Sequence, residues 1–461
     1  MLGRARRMVL GAAVAFVAAI PAQAETLGDA LIAAYRNSSL LEQNRALLRA
    51  ADEDVAQAVA ALRPVVDFVI RSQHVHNETR LLTGATVSPD SLTTTVGLTA
   101  SLTLYDGGVN RMGIAAAKES VLATRQGLIG VEHSVLYSAV QAYMLLRMYE
   151  DIVALRQGNV RVLTRELEAA QDRFDLGEIT RTDVALAEAR LAGARAELSA
   201  AEGDVLVGRE TYILAVGNPP GRLSNPPRLP VTARSVDEAK RIARGQHYAI
   251  KQLQHQLAAA EINVQRSKAR MGPSMAVTGT VGTGDDGLTD RSVTLSLSQR
   301  LYQGGGMSSA YRQALAQRDS VRAALQYKVA EVEQAVGEAW AQRSVSRASI
   351  EATDRQIVAA QAAYDGVREE TTLGARTTLD LLNAEQELLD ARADRLTVVT
   401  NEYIATYGLL AAMGYLTVEH LKLGIPTYDV TAYYNAVKNA PAASAQGKRL
   451  DRILQTYQQR K

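Results

Sequence analysis

The sequence predicts a mainly α chain that also carries strands of a membrane β-barrel, built from a duplicated helix–β-hairpin–helix unit with long coiled-coil helices. Three observations predict it. A set of residues recurs at one fixed spacing, apolar residues recur at coiled-coil steps over long stretches, and two strand pairs alternate apolar residues with Thr, Ser and Gly. Only three Phe and one Trp occur in 461 residues, which excludes many thick globular cores. Segments rich in Ala, Leu, Glu, Arg and Gln suit long, closely packed helices.

The first element is a leader. Residues 1–24 read as a cleavable signal peptide: Arg4, Arg6 and Arg7 open it, Met8 to Ile20 is apolar, and Ala22-Gln23-Ala24 fits the small-x-small cleavage rule. The mature chain then begins at Glu25. Without the three leader arginines, 51 basic residues become 48 against 49 acidic ones, a net charge of −1. That balance provides no basic face for nucleic acid. The chain has no Cys, hence no lipidated N-terminal Cys, disulfide or thiolate metal site. After residue 24 no apolar run reaches the length of a transmembrane helix, so any membrane crossing must be made by strands.

The repeat sets the organisation. Leu104-Tyr105-Asp106-Gly107-Gly108 returns as Leu301-Tyr302-Gln303-Gly304-Gly305, an offset of 197. Leu176-Gly177 returns as Leu373-Gly374, and Asp183, Glu188, Leu191 and Arg195 return as Asp380, Glu385, Leu388 and Arg392, all at that offset. The first copy spans 25–216, a Pro-rich linker spans 217–235, the second copy spans 236–415, and a looser C-terminal region spans 416–461, with a disordered tail expected from about residue 440.

Each copy opens with a helix expected to run unbroken, over about 25–62 and 236–271, until Arg63-Pro64 or Gly272-Pro273 stops it. Ile250, Leu253, Leu257, Ala260 and Val264 form a coiled-coil seam in the second. Strands follow at about 65–77 and 93–105, then 274–283 and 291–302. Val96, Leu98, Ala100, Leu102 and Leu104 alternate with Gly97, Thr99, Ser101 and Thr103; Val293, Leu295 and Leu297 alternate with Thr294, Ser296 and Ser298. A period of two with a Thr/Ser/Gly face suits an apolar outer surface and a wet lining. The loops at 77–92 and 284–291 face outward.

Helical hairpins follow, at about 108–216 and 305–412. The outgoing helix of the first runs to about Asp175 without Pro, and at ~1.5 Å per residue spans about 100 Å. Leu176-Gly177-Glu178-Ile179 turns the chain, with Gly as the helix stop. The return seam is Val184, Ala187, Leu191, Ala194, Leu198, Ala201 and Val205, matched by Leu381, Ala384, Leu388 and Ala391. Four strands cannot close a barrel, since the smallest have about eight, and an open edge in lipid is not tolerated. Several copies must share one barrel, about eight strands for a dimer or twelve for a trimer, and an open duct argues for twelve.

Candidate chemistry elsewhere is thin. His74 and His76 share one strand face, but two ligands are not a metal site. Gly282-Thr283-Gly284-Asp285-Asp286-Gly287 has neither phosphate-loop nor calcium-loop spacing and reads as a hairpin turn. No nucleophile–base set or carboxylate pair falls in an expected pocket, so the residues point to no enzyme, cofactor or metal. Tyr105 and Tyr302 end their strands, either as girdle aromatics or as packing at strand–helix junctions.

The duplicated unit, the two Leu-Tyr-x-Gly-Gly motifs and the opening Glu25-Thr26-Leu27-x-Asp29-Ala30-Leu31 with Tyr35-x-Asn37 together resemble the TolC family, over nearly all of 25–420. The resemblance implies a homotrimer with a twelve-stranded barrel in the outer membrane and an α-helical tunnel through the periplasm. It implies an exit duct of a tripartite efflux or type I protein secretion system, with porin-like passive transport. A periplasmic adaptor (membrane fusion) protein and an inner-membrane ABC or RND-type pump would be its partners. It also implies a gate at the periplasmic helix tips. Arg376 matches an arginine that ties neighbouring helices shut, with Thr182 and Asp183 as its partner side. Asp380 matches a carboxylate ring whose mutual repulsion would raise its pKa. Asn383 stands where a second ring aspartate is expected, and Thr371 replaces a gate tyrosine, so a weaker charge ring and a looser latch are expected. Turn position alone favours plainer roles, Arg376 as a helix cap or surface pair and Asp183 and Asp380 as partners of helix dipoles, and it is the resemblance that favours the gate. A periplasmic adaptor, usually with one helical hairpin per chain, and a fibrous structural protein are the competing readings.

Overall fold

The computed structural model describes residues 24–76, 79–80, 84, 86–87, 90–285, 287–438 and 452. The expected leader up to residue 23, half of the loop at 77–92 and the expected disordered tail from residue 440 lie outside the described residues, residue 452 apart.

The described elements run α1 (Leu27–Asn37), α2 (Ser39–Ala60), β1 (Val65–His76), β2 (Thr79–Arg80), β3 (Thr86–Val87), β4 (Asp90–Tyr105), α3 (Val109–Asp175) and α4 (Arg181–Val216). The second series is α5 (Val236–Gln246), α6 (Tyr248–Ala269), β5 (Ser274–Gly284), β6 (Thr289–Ser298), α7 (Gly306–Thr372), α8 (Thr378–Ala412) and α9 (Ala432–Val437). Apart from the short β2 and β3 in the first and the short α9 at the end of the second, the two series have the same order, and α3 and α7 are both 67 residues long.

The compact units do not follow the repeats. One comprises Met1–Ser38, Ser138–Pro230 and Val345–Ile404; the other comprises Ser39–Tyr137, Val231–Ser344 and Ala405–Lys461. Each draws on both copies, because the long helices α3 and α7 pass through both units and short-range contacts form along each section separately.

In the first unit the linker is tied to the chain's start. Glu25 bridges to Leu223, its N–H donating to the Arg222 carbonyl at 2.8 Å. Its carboxylate accepts from the Tyr212 hydroxyl at 2.6 Å and the Gly221 N–H at 2.9 Å. Tyr143, fully buried, donates towards the Glu25 and Ser224 carbonyls. Further along the unit, Leu163, Leu191, Ala194 and Leu382 make one buried cluster and Ala170, Val184 and Ala187 another. The return seam of α4 is therefore the buried one, although Leu198 and Val205 are half-exposed.

The second unit packs Ala239 and Ala243 of α5 with Ile250 of α6, Val332 and Val336 of α7, and Leu409 and Met413 at the end of α8. It also holds the main sheet, in the order β1-β4-β5-β6, all antiparallel. Register puts Val66, Phe68 and Ile70 opposite Ala100, Leu98 and Val96. Leu98 in turn faces Val281, and Val277 and Met275 face Leu295 and Leu297. All of these share one face, by the period of two. Thr95, Thr99, Ser101, Thr278, Thr280, Ser292, Thr294 and Ser296 share the other. The apolar face is uncovered: Phe68 is 66% and Val293 81% exposed.

Two expectations need correction. The opening helices are broken, at Ser38 and at His247, both with extended backbone angles. Each break is met by a glycine that ends a return helix. Gly217 closes α4 at φ 86°, and a Cβ there would lie 2.6 Å from Asn37 Cβ; Gly414 follows α8 at φ 80°, and a Cβ there would lie 2.9 Å from His247 Cα. Ser38 has no Pro or Gly beside it, whereas Gly245 stands in the last turn of α5 before His247. The second correction concerns β6, which ends at Ser298, where its only described neighbour β5 begins at Ser274. Leu301 and Tyr302 therefore lie beyond the strand, whereas Leu104 and Tyr105 remain in β4 because β5 pairs with it through a bulge to Met275.

Candidate functional site

The two helix-tip turns are built alike. Gly177 and Gly374 take positive φ, 78° and 76°, between α3 and α4 and between α7 and α8. Next, Thr180 caps α4 through a reciprocal box: its hydroxyl accepts from the Asp183 N–H, and its own N–H donates to Asp183 Oδ2 at 3.0 Å. Thr377 and Asp380 repeat the box at the start of α8, with Thr377 N–H to Asp380 Oδ2 at 3.1 Å and Asp380 N–H to Thr377 Oγ1 at 3.2 Å. The threonine hydroxyls also donate to these carboxylates, at 2.7 and 2.8 Å. Both carboxylates are held below their ordinary pKa by these threonine hydrogen bonds. Within the chain the dominant neighbour of Asp380 is the donor Thr377 and not another carboxylate.

Arg376 lies exposed in the second turn. Its Nε donates to Glu370 Oε2 at 2.9 Å, which closes the end of α7 onto the turn and raises the guanidinium pKa; Asp380 adds a smaller attraction. The described hydrogen bonds and ion pairs of Arg376 thus lie within its own turn, while Thr182 is exposed and Asp183 is engaged by Thr180. Thr371 is buried, its hydroxyl donating to the Val367 carbonyl at 2.7 Å. Asn383 is exposed and accepts from Arg190 of α4 at 2.7 Å.

Sequence reasoning missed two groups here. Arg190 had no motif to mark it. Glu385, the repeat mate of exposed Glu188, is 8% exposed, and its Oε2 has no hydrogen-bond partner. Burial, and secondarily Glu166, pushes its pKa up to about 7 against the pull of Arg368. The signal for Glu385 lay in its neighbours: Leu382, Leu388 and Leu389 bury that face of α8, while Glu188 looks outward on α4.

At the strand–helix junctions Gly107 and Gly108 have φ of 64° and 86°, and Gly304 and Gly305 have 55° and 81°. Asp106 caps α3, its carboxylate accepting from the Gly108 and Asn110 N–H groups at 2.9 and 2.7 Å. At the corresponding Gln303 the side chain instead accepts from Arg300 at 3.1 Å. Leu301 and Tyr302 are 86% and 85% exposed. His74 and His76 are exposed on β1, and the described residues contain no group of three or more candidate metal ligands. No described helix is long and apolar enough to cross a membrane.

Long helical hairpins joined to a sheet with one apolar and one Thr/Ser/Gly face define the class of outer-membrane channel subunits that combine a helical tunnel with barrel strands. The chain belongs to the outer membrane efflux protein family, the TolC family of the resemblance above: the family model matches residues 31–218 and 241–415. It is a protein of the outer membrane that extends into the periplasm. Among its relatives, the outer membrane efflux protein BepC of Brucella suis is 35% identical over 427 residues, 91% of each chain. The alkaline protease secretion protein AprF of Pseudomonas aeruginosa is 26% identical over 337 residues, 70% of this chain and 69% of its own. In fold, the outer membrane protein VceC of Vibrio cholerae superposes with a TM-score of 0.73 at 19% identity, covering 84% of this chain and 96% of that one. The CmeC outer membrane channel of Campylobacter jejuni gives 0.74 at 15% identity, covering 90% and 89%.

Proposed function

We propose that the chain is the homotrimeric exit duct of a tripartite efflux or type I secretion system, passive, non-enzymatic and gated at its periplasmic helix tips. The observation that carries this reading is the sheet. Its apolar face is uncovered, its other face carries mostly Thr, Ser and Gly on β4, β5 and β6 with Asp67, Val69 and Arg71 on β1, and both β1 and β6 leave an edge unpaired among the described residues. Neither edge survives in lipid unless other copies pair with it. Edges β1 and β6 run in opposite directions, so β6 of one copy meets β1 of the next in the same antiparallel pattern. Three copies give about twelve strands, wide enough for an open lumen. Residues 25–216 and 236–415 are the two repeats on this reading, joined by 217–235.

The pump, of ABC or RND type, and the periplasmic adaptor supply the energy and the link to the inner membrane. Relatives named for efflux and for alkaline protease secretion support this class of role. At the tip, Arg376 exchanges Glu370 for the Thr182–Asp183 side of a neighbouring helix pair, and three copies of Asp380 ring the axis and favour cations. Asn383 adds no charge to that ring.

Single-channel recording in planar bilayers tests the reading, with wild type beside Arg376→Ala. Small, stable, cation-selective currents that grow in the variant are expected. Silence from correctly inserted protein of both kinds would return the chain to the adaptor or structural reading.

A further inference from the structure

We infer that Arg190 and Asn383 form a clasp between the two repeats that helps hold the helix tip shut, and that Arg190 masks any negative charge placed at position 383; the inference rests on the exit-duct reading.

The clasp joins α4 to α8, one return helix from each copy, through Arg190 Nη2 to Asn383 Oδ1 at 2.7 Å. It lies beside a buried cluster: Leu191 adjoins Arg190, Leu382 adjoins Asn383, and both pack with Leu163 and Ala194. Apolar packing therefore fixes the spacing of the two helices at this point, and the polar contact depends on that spacing. When the tip opens, α4 and α8 cannot separate here without losing both.

The contact is one-sided. At the repeat offset of 197, Asn383 corresponds to Leu186 and Arg190 to Glu387. The reciprocal pair, Leu186 with Glu387, cannot form the same bond, since leucine has no polar atom to offer. The duplicated chain therefore holds this clasp once and not twice. Of the acids nearby, Asp380 is engaged by Thr377 and Glu197 by Arg156 at 2.7 Å, while buried Glu385 lines the same groove as Arg190 with its Oε2 unpartnered.

The electrostatic consequence is sharp. A guanidinium already bonded to the side chain at 383 would meet an introduced carboxylate with a charge-assisted bond. Asn383→Asp should then tighten the tip and add no cation selectivity while Arg190 is present. Selectivity should rise only when Arg190 is removed as well.

The experiment records single-channel currents and KCl-gradient reversal potentials for wild type, Arg376→Ala, Arg190→Ala, Asn383→Ala, Asn383→Asp and the two double variants. Heat-resistant oligomer formation verifies that each variant assembles, and both positions are at the surface or half-exposed. Arg190→Ala and Asn383→Ala should each raise the current by about fivefold, the change expected from one lost hydrogen bond, with no further gain in the double variant. Asn383→Asp should lower the current and leave the reversal potential at the wild-type value, and adding Arg190→Ala should shift it towards cations. Additive single effects, or a selectivity gain from Asn383→Asp alone, would overturn the clasp while Arg376→Ala still opens the channel. No conductance from any of the proteins would instead overturn the duct reading, and the clasp's gating role with it.

Discussion

Glu385 illustrates how position, more than residue type, sets chemistry at the residue scale. Its repeat mate Glu188 is exposed, yet Glu385 is buried beside Glu166 with one oxygen unpartnered, and its pKa rises to about 7. Charging it in the folded state costs free energy. Its folded pKa lies above the ordinary 4.5, so its contribution to stability is fully present below about pH 4.5 and is lost as pH rises through about 7. Glu385→Gln should therefore raise thermal stability at pH 8 by the order of 1–3 kcal/mol and flatten the pH dependence between 5 and 8. Melting curves of the detergent-solubilised protein across that range check it, and a variant as pH-sensitive as wild type would refute the assignment. The carboxylates Asp183 and Asp380 behave oppositely: threonine donors depress both, so they stay charged at neutral pH.

Among elements, the broken opening helices matter most. Gly217 and Gly414 occupy equivalent places in the two copies, both with left-handed backbone and both pressed against a helix break. An alanine at either site meets strain from φ and a clash with Asn37 or His247. Gly217→Ala and Gly414→Ala should each destabilise by about 1–3 kcal/mol, since backbone atoms or short side chains must move. A Gly203→Ala control, in open space on α4, should not lower the melting temperature, because alanine favours helix. The caps follow the same logic with a smaller effect: Thr180→Ala removes a reciprocal box and should cost about 1 kcal/mol.

Whole-molecule predictions concern the sheet. On the proposed membrane topology, Val293→Lys puts a charge on the lipid-facing side of β6, at a cost of about 2–4 kcal/mol near the bilayer midplane. The neighbouring Thr294→Lys turns the same charge towards the lumen. Heat-resistant oligomers in the outer-membrane fraction should fall for the first substitution and persist for the second. Equal loss from both would argue against the two-faced assignment.

The fold class was legible because its signals are periodic: period-two alternation in the strands, alternating steps of three and four in the return seam, and one offset that carries every repeated motif. Such patterns survive without knowledge of partners, since each residue's side of a strand or helix follows from backbone geometry alone. The tip turns were legible as turns from Gly177 and Gly374. The tip's pairings were not: Arg376 reaches Glu370, and Asn383 receives Arg190 from 193 positions away. Nor were the breaks at Ser38 and His247, each of which abuts a glycine far along the chain, or the early end of β6, where pairing stops with its neighbour. The sequence by itself determined which elements form, their order, their duplication and which strand faces are apolar. Tertiary structure decided where helices break, which charges are neutralised and which acid is buried, because those depend on what long-range packing brings near a residue and not on the residues beside it.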